Sequence, residues 1–162
     1  MEYITDKYAL KEIRYYIELA IQEAKKSECL KVQRGAVLVQ HGAIAGRGYN
    51  KPTIDGLCCL RKDIRGGISS EMCAAVHAEQ MAMLDALNNK WDITGSKLYH
   101  IKLKNGIAVP SGKPSCTLCS RLMAEEKIGK IILLHKEGFA SYSSEEFNRL
   151  SFRHLLKNHQ SE

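Results

Sequence analysis

His77, Glu79, Cys116 and Cys119 are the residues of this sequence whose types and spacing carry chemistry. Two cysteines three positions apart on one helical turn aim both sulfurs at a single metal ion, and a histidine distant in the chain supplies a third ligand. One nitrogen and two thiolates suit zinc. Three protein ligands leave a fourth position open for water, which separates a catalytic zinc from a structural one. In such a setting the pKa of a bound water falls from its bulk value to about 7. Glu79 stands two residues past His77, close enough to meet that water without ligating the ion, and a carboxylate there takes and returns protons. A purely structural zinc would need a fourth protein ligand and has no use for Glu79.

Both motifs open helical stretches, where free backbone N–H groups and the helix dipole favour negative charge and help keep the cysteines as thiolates. The first runs from Cys73 to Asn88 through Ala75, Val76, Ala78, Ala82, Met83 and Leu87; the second runs from Cys116 to about Lys127, with Gly129 as its stop. An amphipathic helix is predicted over residues 6 to 26, carried by Leu10, Ile13, Ile17, Ala20, Ile21 and Ala24, with Asp6 as N-cap. Residues 35–39 and 43–49 read as two strands around a tight His41–Gly42 turn, residues 97–103 alternate like a strand, and Ile131–Leu134 is a short apolar strand. Ser143–Glu146 forms a capping box before a last helix through Phe147, Leu150 and Leu155. Residues 50–72 are polar and broken by Pro52, Gly56, Gly66 and Gly67, and so long a structureless stretch inside a compact domain is usually functional. The order α-β-β-α-β-α-β-α predicts an α/β fold: a three-layer α/β/α sandwich around a mixed sheet of about five strands.

A chain of 162 residues with 44% hydrophobic and 26% charged residues suits one soluble globular domain over 1–162. No run approaches the ~20 apolar residues of a membrane span, and the N-terminus lacks the order of a secretory signal, so a cytoplasmic protein is expected. Six cysteines then read as thiols or ligands rather than disulfides. The net charge of +6 suits an anionic ligand. Its basic residues are scattered, and no arginine-rich arm or aromatic-interleaved stripe offers a channel for single-stranded nucleic acid.

H-x-E followed by P-C-x-x-C is the signature of zinc-dependent nucleobase deaminases. His77-Ala-Glu79 and Pro114-Ser-Cys116-Thr-Leu-Cys119 resemble it, and so the chain is similar to the cytidine and deoxycytidylate deaminase superfamily. The run from Cys59-Leu-Arg61 through Ser70-Glu71 and Cys73 to Val76-His77-Ala78-Glu79-Gln80 resembles the deoxycytidylate branch, as does Arg34-Gly35-Ala36-Val37 leading to Gly48-Tyr49-Asn50. The likeness covers roughly residues 5 to 135. It implies a cytidine deaminase-like fold, a Zn2+ cofactor, a nucleotide or nucleoside substrate and a homo-oligomeric assembly. It further implies that Asn50 bonds the sugar, that the Ala78 N–H and the Ser115 carbonyl hold the pyrimidine, and that Arg34 or a residue of segment 50–72 meets a phosphate. Cysteines in that segment sometimes bind a second, structural zinc in the family. Cys58, Cys59 and Cys73 are the candidates here, with partly buried free thiols as the alternative; no local histidine completes a set, and His41 or His100 could contribute only if the fold brings them near.

Three departures stand out. Ser115 separates Pro114 from Cys116, Met81 replaces an asparagine common in the deoxycytidylate branch, and the Asn105–Lys113 segment is longer than the pattern and placed to cover the pocket. The expected activity is hydrolytic deamination of dCMP or CMP to the uracil product and ammonia. The competing readings are a deaminase of a base in tRNA or single-stranded DNA, and a zinc-stabilised binding module without turnover, against which Glu79 argues.

Overall fold

The computed structural model describes residues 1–54 and 73–159. Asp6 caps the first helix, α1 (Lys7–Ala24), its side chain accepting the Ala9 N–H at 2.7 Å. Strands β2 (Gln33–Gln40) and β3 (Ala43–Tyr49) follow β1 (Glu2–Tyr3) and α1, and pair antiparallel. The turn between them holds His41 at φ 50° and Gly42 at φ 79°. Two consecutive left-handed residues give the turn that matches the twist of a hairpin. After the short β4 (Lys51–Pro52) and β5 (Ala75–Val76) come α2 (Ala78–Asn88) and β6 (Lys97–Lys104).

The chain then reverses at once. Asn105 (φ 52°) and Gly106 (φ 75°) turn it into β7 (Ile107–Val109), antiparallel to β6. Helix α3 (Thr117–Glu125) leads to β8 (Lys130–His135), which lies parallel to β6 and antiparallel to β9 (Gly138–Tyr142). Helix α4 (Ser144–His159) ends the described chain, and its predicted cap is present: Ser143 Oγ accepts the Glu146 N–H at 3.2 Å. The sheet order is β1-β9-β8-β6-β2-β3, with β7 on β6.

The sheet has helices on both faces, a mixed three-layer α/β/α sandwich as expected. Its five long strands are the predicted four plus β9, and β1 and β7 extend it. Alternation along each strand sorts the side chains. Val37, Val39, Tyr99, Ile101, Leu103 and Ile132 pack against Ile13, Tyr16, Ile17 and Ala20 of α1. Ala36, Leu38, Leu98, Ile131, Leu133 and Tyr142 pack against α2, α3 and α4 through Ala82, Met83, Met123 and Phe147. Tyr142 thus belongs to the core. Among the described residues no helix is long and apolar enough to cross a membrane.

Polar contacts at Glu12 help fasten α1 to the sheet. Glu12 Oε1 accepts from Lys97 Nζ at 2.8 Å and from the Tyr99 hydroxyl at 2.7 Å. The Lys97 and Tyr99 bonds hold the Glu12 carboxyl below the ordinary carboxylate range, and burial with the Glu12 bond pushes the Tyr99 hydroxyl up, so it stays a donor. A depressed folded-state pKa adds stability above the carboxylate range, which is lost as pH falls through the folded value. Glu12→Gln is therefore expected to lower Tm at pH 7 by roughly 1–3 °C, a modest figure because the contact faces solvent. Thermal unfolding from pH 7 to pH 3 checks this: the gap between variant and parent should close as pH falls below about 4. A gap that stays constant would remove Glu12 ionisation from the account.

Candidate active site

The backbone brings the two motifs together by aiming two helix starts at one point. His77 occupies the N-cap position of α2, and its N–H donates to Gln80 Oε1 at 3.1 Å. Cys116 is the N-cap of α3, and its Sγ accepts the Cys119 N–H at 3.5 Å. His77 Nδ1 lies 3.2 Å from Cys119 Sγ and 3.3 Å from Cys116 Sγ. All three donor atoms fall within 4.8 Å of one another, and this is the one such group among the described residues.

Zinc bonds of about 2.1 Å to nitrogen and 2.3 Å to sulfur, at the tetrahedral angle, put such atoms about 3.6 Å apart. The side chains need only open by a few tenths of an ångström, so the donor set fits zinc. Of the three donors, Cys116 is held as a thiolate while His77 and Cys119 keep a proton. Hydrogen bonds from Cys119 and then His77 hold the Cys116 thiol down at about 5, against the effect of burial. Bonds to Cys116 and Cys73 push His77 up to about 10, while the Cys116 bond and burial keep Cys119 protonated. A metal entering here replaces those protons, and its affinity rises with pH.

Glu79 is buried in the first turn of α2, with Oε2 3.8 Å from Cys119 Sγ and outside the donor group. Burial works to raise its pKa, but the carboxyl lies below the ordinary range, with the positive charges of His77 and Arg34 among the causes. The site opens into a cavity of about 270 Å³.

Of the predicted site residues within the described chain, all but Ala78 and Cys119 line this cavity. Ser115 lines it, and Ala78 is the buried first residue of α2. Arg34 lines it from the start of β2. Asn50 also lines it, but its carboxamide is largely committed: Oδ1 accepts the Arg34 N–H at 2.7 Å and Nδ2 donates to the Val32 carbonyl at 3.0 Å. One Nδ2 hydrogen remains for a ligand. Cys73 lines the cavity and hydrogen-bonds the His77 side chain. Cys58 and Cys59 lie outside the described residues.

Sequence reasoning did not place His100 or Lys102 at this cavity and reached Ser111 and Lys113 only as part of the Asn105–Lys113 segment, yet all four line it. The signal was present for two of them. On β6 the apolar alternation assigns Tyr99, Ile101 and Leu103 to one face, which leaves His100 and Lys102 on the face shared with Ala36. Ser111 and Lys113 follow the β6–β7 hairpin, announced by Asn105-Gly106, the strongest short-range hairpin signal. The long Asn105–Lys113 segment therefore does border the pocket, as expected from its length.

A three-layer α/β/α sandwich with a His-Cys-Cys donor set and a buried glutamate at paired helix starts defines a zinc-dependent hydrolase of the cytidine deaminase type. Residues 10–135 match the family described as the cytidine and deoxycytidylate deaminase zinc-binding region, and the chain belongs to that family. It is 26% identical to the deoxycytidylate deaminase of Mycobacterium phage D29 over 128 residues, 73% of this chain and 90% of that one. Among solved structures, the dCMP deaminase of cyanophage S-TIM5 in complex with dCMP and dUMP is 25% identical, with a TM-score of 0.56 over 78% of this chain and 82% of that one. The cytidine deaminase of Burkholderia pseudomallei shares the fold at 18% identity, with a TM-score of 0.56 over 83% and 94% of the two chains.

Proposed function

We propose that this enzyme hydrolyses the exocyclic amine of a cytosine nucleotide, dCMP or CMP, with His77, Cys116 and Cys119 holding zinc. The observation that carries the nucleotide, rather than the nucleoside, is the cationic floor of the cavity. Arg34 on β2 stands directly opposite Lys102 on β6, both on the cavity face. Like charges directly opposite each other destabilise a sheet, so such a pair calls for an anion between or above them. Burial, Arg34 and Lys104 already depress the Lys102 pKa, in that order. Lys31 and Lys113 add to the lining, and Glu79 is the one carboxylate in it among the described residues. A phosphate answers that imbalance, and relatives named deoxycytidylate deaminase support the same reading.

Zinc, when bound, supplies a Lewis acid that makes water a nucleophile at neutral pH. Glu79 accepts the proton of the attacking water as its oxygen bonds to C4 of the ring. The carboxylic acid then returns that proton to N3. A second transfer through Glu79 moves the remaining water proton to the departing amine, the C4–N bond breaks, and ammonia leaves with the uracil product. The Ala78 N–H and the Ser115 carbonyl are assigned to the pyrimidine's carbonyl and amine, and Arg34 with Lys102 to the phosphate.

The test is ammonia release by zinc-loaded protein from cytidine, deoxycytidine, CMP, dCMP, dCTP and an adenosine-containing tRNA stem-loop. Turnover confined to the monophosphates is expected. Lys102→Met should raise KM for the monophosphate by about 10- to 100-fold, the loss of one charged hydrogen bond, with little change in kcat. Turnover of nucleosides and nucleotides at equal KM, or of the stem-loop alone, would overturn the reading.

A further inference from the structure

His100 has no part in the scheme above, yet it is wholly buried beside its central residue. It sits mid-strand on β6, 2% exposed, with Ala36 and Leu133 as its register partners on either side. A histidine in so apolar a row needs partners for both ring nitrogens. Nε2 lies 3.6 Å from Glu79 Oε1 and 3.5 Å from Arg34 Nη1. Nδ1 lies 3.5 Å from Ser111 Oγ. Ser111 is itself fixed to the sheet, its N–H donating to the Leu134 carbonyl at 2.8 Å.

Burial above all, with Arg34, His77 and Lys102, drives the His100 pKa down to about 4, against the pull of Glu79. The ring is therefore neutral at pH 7 and carries one N–H. Two arrangements compete. With the proton on Nδ1, the ring donates to Ser111 and accepts from Arg34, and Glu79 Oε1 loses this donor. With the proton on Nε2, the ring donates to Glu79, the Ser111 hydroxyl donates to Nδ1, and Arg34 turns to the cavity.

The second arrangement wins on cost. A buried carboxylate oxygen short of a donor is expensive, whereas a guanidinium has five N–H groups and a cavity to point them into. Metal ligation strengthens the case, because Cys119 as a thiolate has no proton for Glu79 Oε2. We propose that His100 is a positioning residue: its Nε2–H holds the Glu79 carboxylate in line for proton transfer, and Ser111 sets the tautomer. A neutral donor suits the task, since it orients the carboxylate without placing a full positive charge beside a group that must accept a proton. The same tautomer leaves Arg34 free for the substrate anion.

The kinetic part of this inference rests on the deaminase reading; the tautomer does not. Nitrogen-15 spectra of the histidine rings in the zinc-loaded protein at pH 7 should show His100 as the neutral Nε2–H form. The Nε2 resonance should shift in Glu79→Ala and the tautomer preference should weaken in Ser111→Ala. An Nδ1–H ring would overturn the proposal whatever the substrate proves to be.

In turnover, His100→Leu fits the apolar row and should bind zinc at the parent stoichiometry. Its kcat should fall about 100-fold, the scale of a misplaced catalytic group, with KM within about threefold. His100→Gln, whose amide nitrogen can reach the Nε2 position, should recover to within about tenfold of the parent. A rise in KM at unchanged kcat would make His100 a substrate contact instead, and equal losses in the two variants would reduce it to packing. Failure of the parent on every cytosine compound would sink the proposed function while the ring spectra still decide the role of His100.

Discussion

Glu79→Gln will bind zinc at the parent stoichiometry and release ammonia about 10⁴-fold more slowly. The substitution preserves shape and removes only the ability to exchange a proton. Each transfer in the proposed sequence passes through this carboxylate, so the loss should reach the upper end of what general acid–base catalysis contributes. Zinc content should hold because Glu79 lies outside the three-atom donor group. Substrate affinity should also survive, since the groups assigned to the pyrimidine are backbone atoms of Ala78 and Ser115. Metal analysis beside steady-state ammonia release makes the measurement. Residual activity above one part in about ten would move the base elsewhere, and loss of zinc would make Glu79 part of the metal site.

The second large effect is expected from Gly48→Ala, far from any proton. A Cβ built on Gly48 would stand 2.4 Å from the Ala78 carbonyl oxygen and 2.4 Å from the Ala82 nitrogen. Both are backbone atoms of α2, so no side chain can swing aside and the helix must move. Overpacking of this kind costs about 3 kcal/mol, a fall in Tm of roughly 6–12 °C for a chain of this size. The end that moves carries His77 and Glu79, so zinc affinity and kcat should fall together. Gly42→Ala is the contrasting case. It meets nothing within 4 Å but needs φ +79°, so it should cost about 1 kcal/mol of turn strain and leave kcat unchanged. Calorimetry with zinc titration separates the two. Equal kcat in Gly48→Ala and the parent would show that α2 has slack at its active end.

The convergence of His77, Cys116 and Cys119 was legible because its chemistry is local: two helix starts, each announced by its own residues, meet through a fold that the apolar periodicity already implied. What lay beyond reach was set by register. His100 carries no motif of its own, and only the pairing Ala36↔His100 under α2 brings it beneath Glu79. Lys102 meets Arg34 for the same reason. Strand β9 escaped notice although Ala140 and Tyr142 alternate with Phe139 and Ser141, because its charged approach, Lys136-Glu137, reads as loop. Asn50 shows the converse. Its position was foreseen, but its two bonds to the backbone of β2 depend on a hairpin register that no single-residue pattern discloses.

The β6–β7 hairpin gives the pocket wall a parity. Val109, Ala108 and Ile107 pair with Lys102, Leu103 and Lys104, and the wall beyond is anchored separately where Ser111 meets Leu134. Adding one residue to each strand would carry the Asn105–Gly106 turn outward by about 3.4 Å and leave every facing relation at the floor intact. One unpaired residue would instead invert the alternation of β7 or force a bulge. The entrance to this cavity can therefore be lengthened in even steps while the atoms around the metal stay where they are.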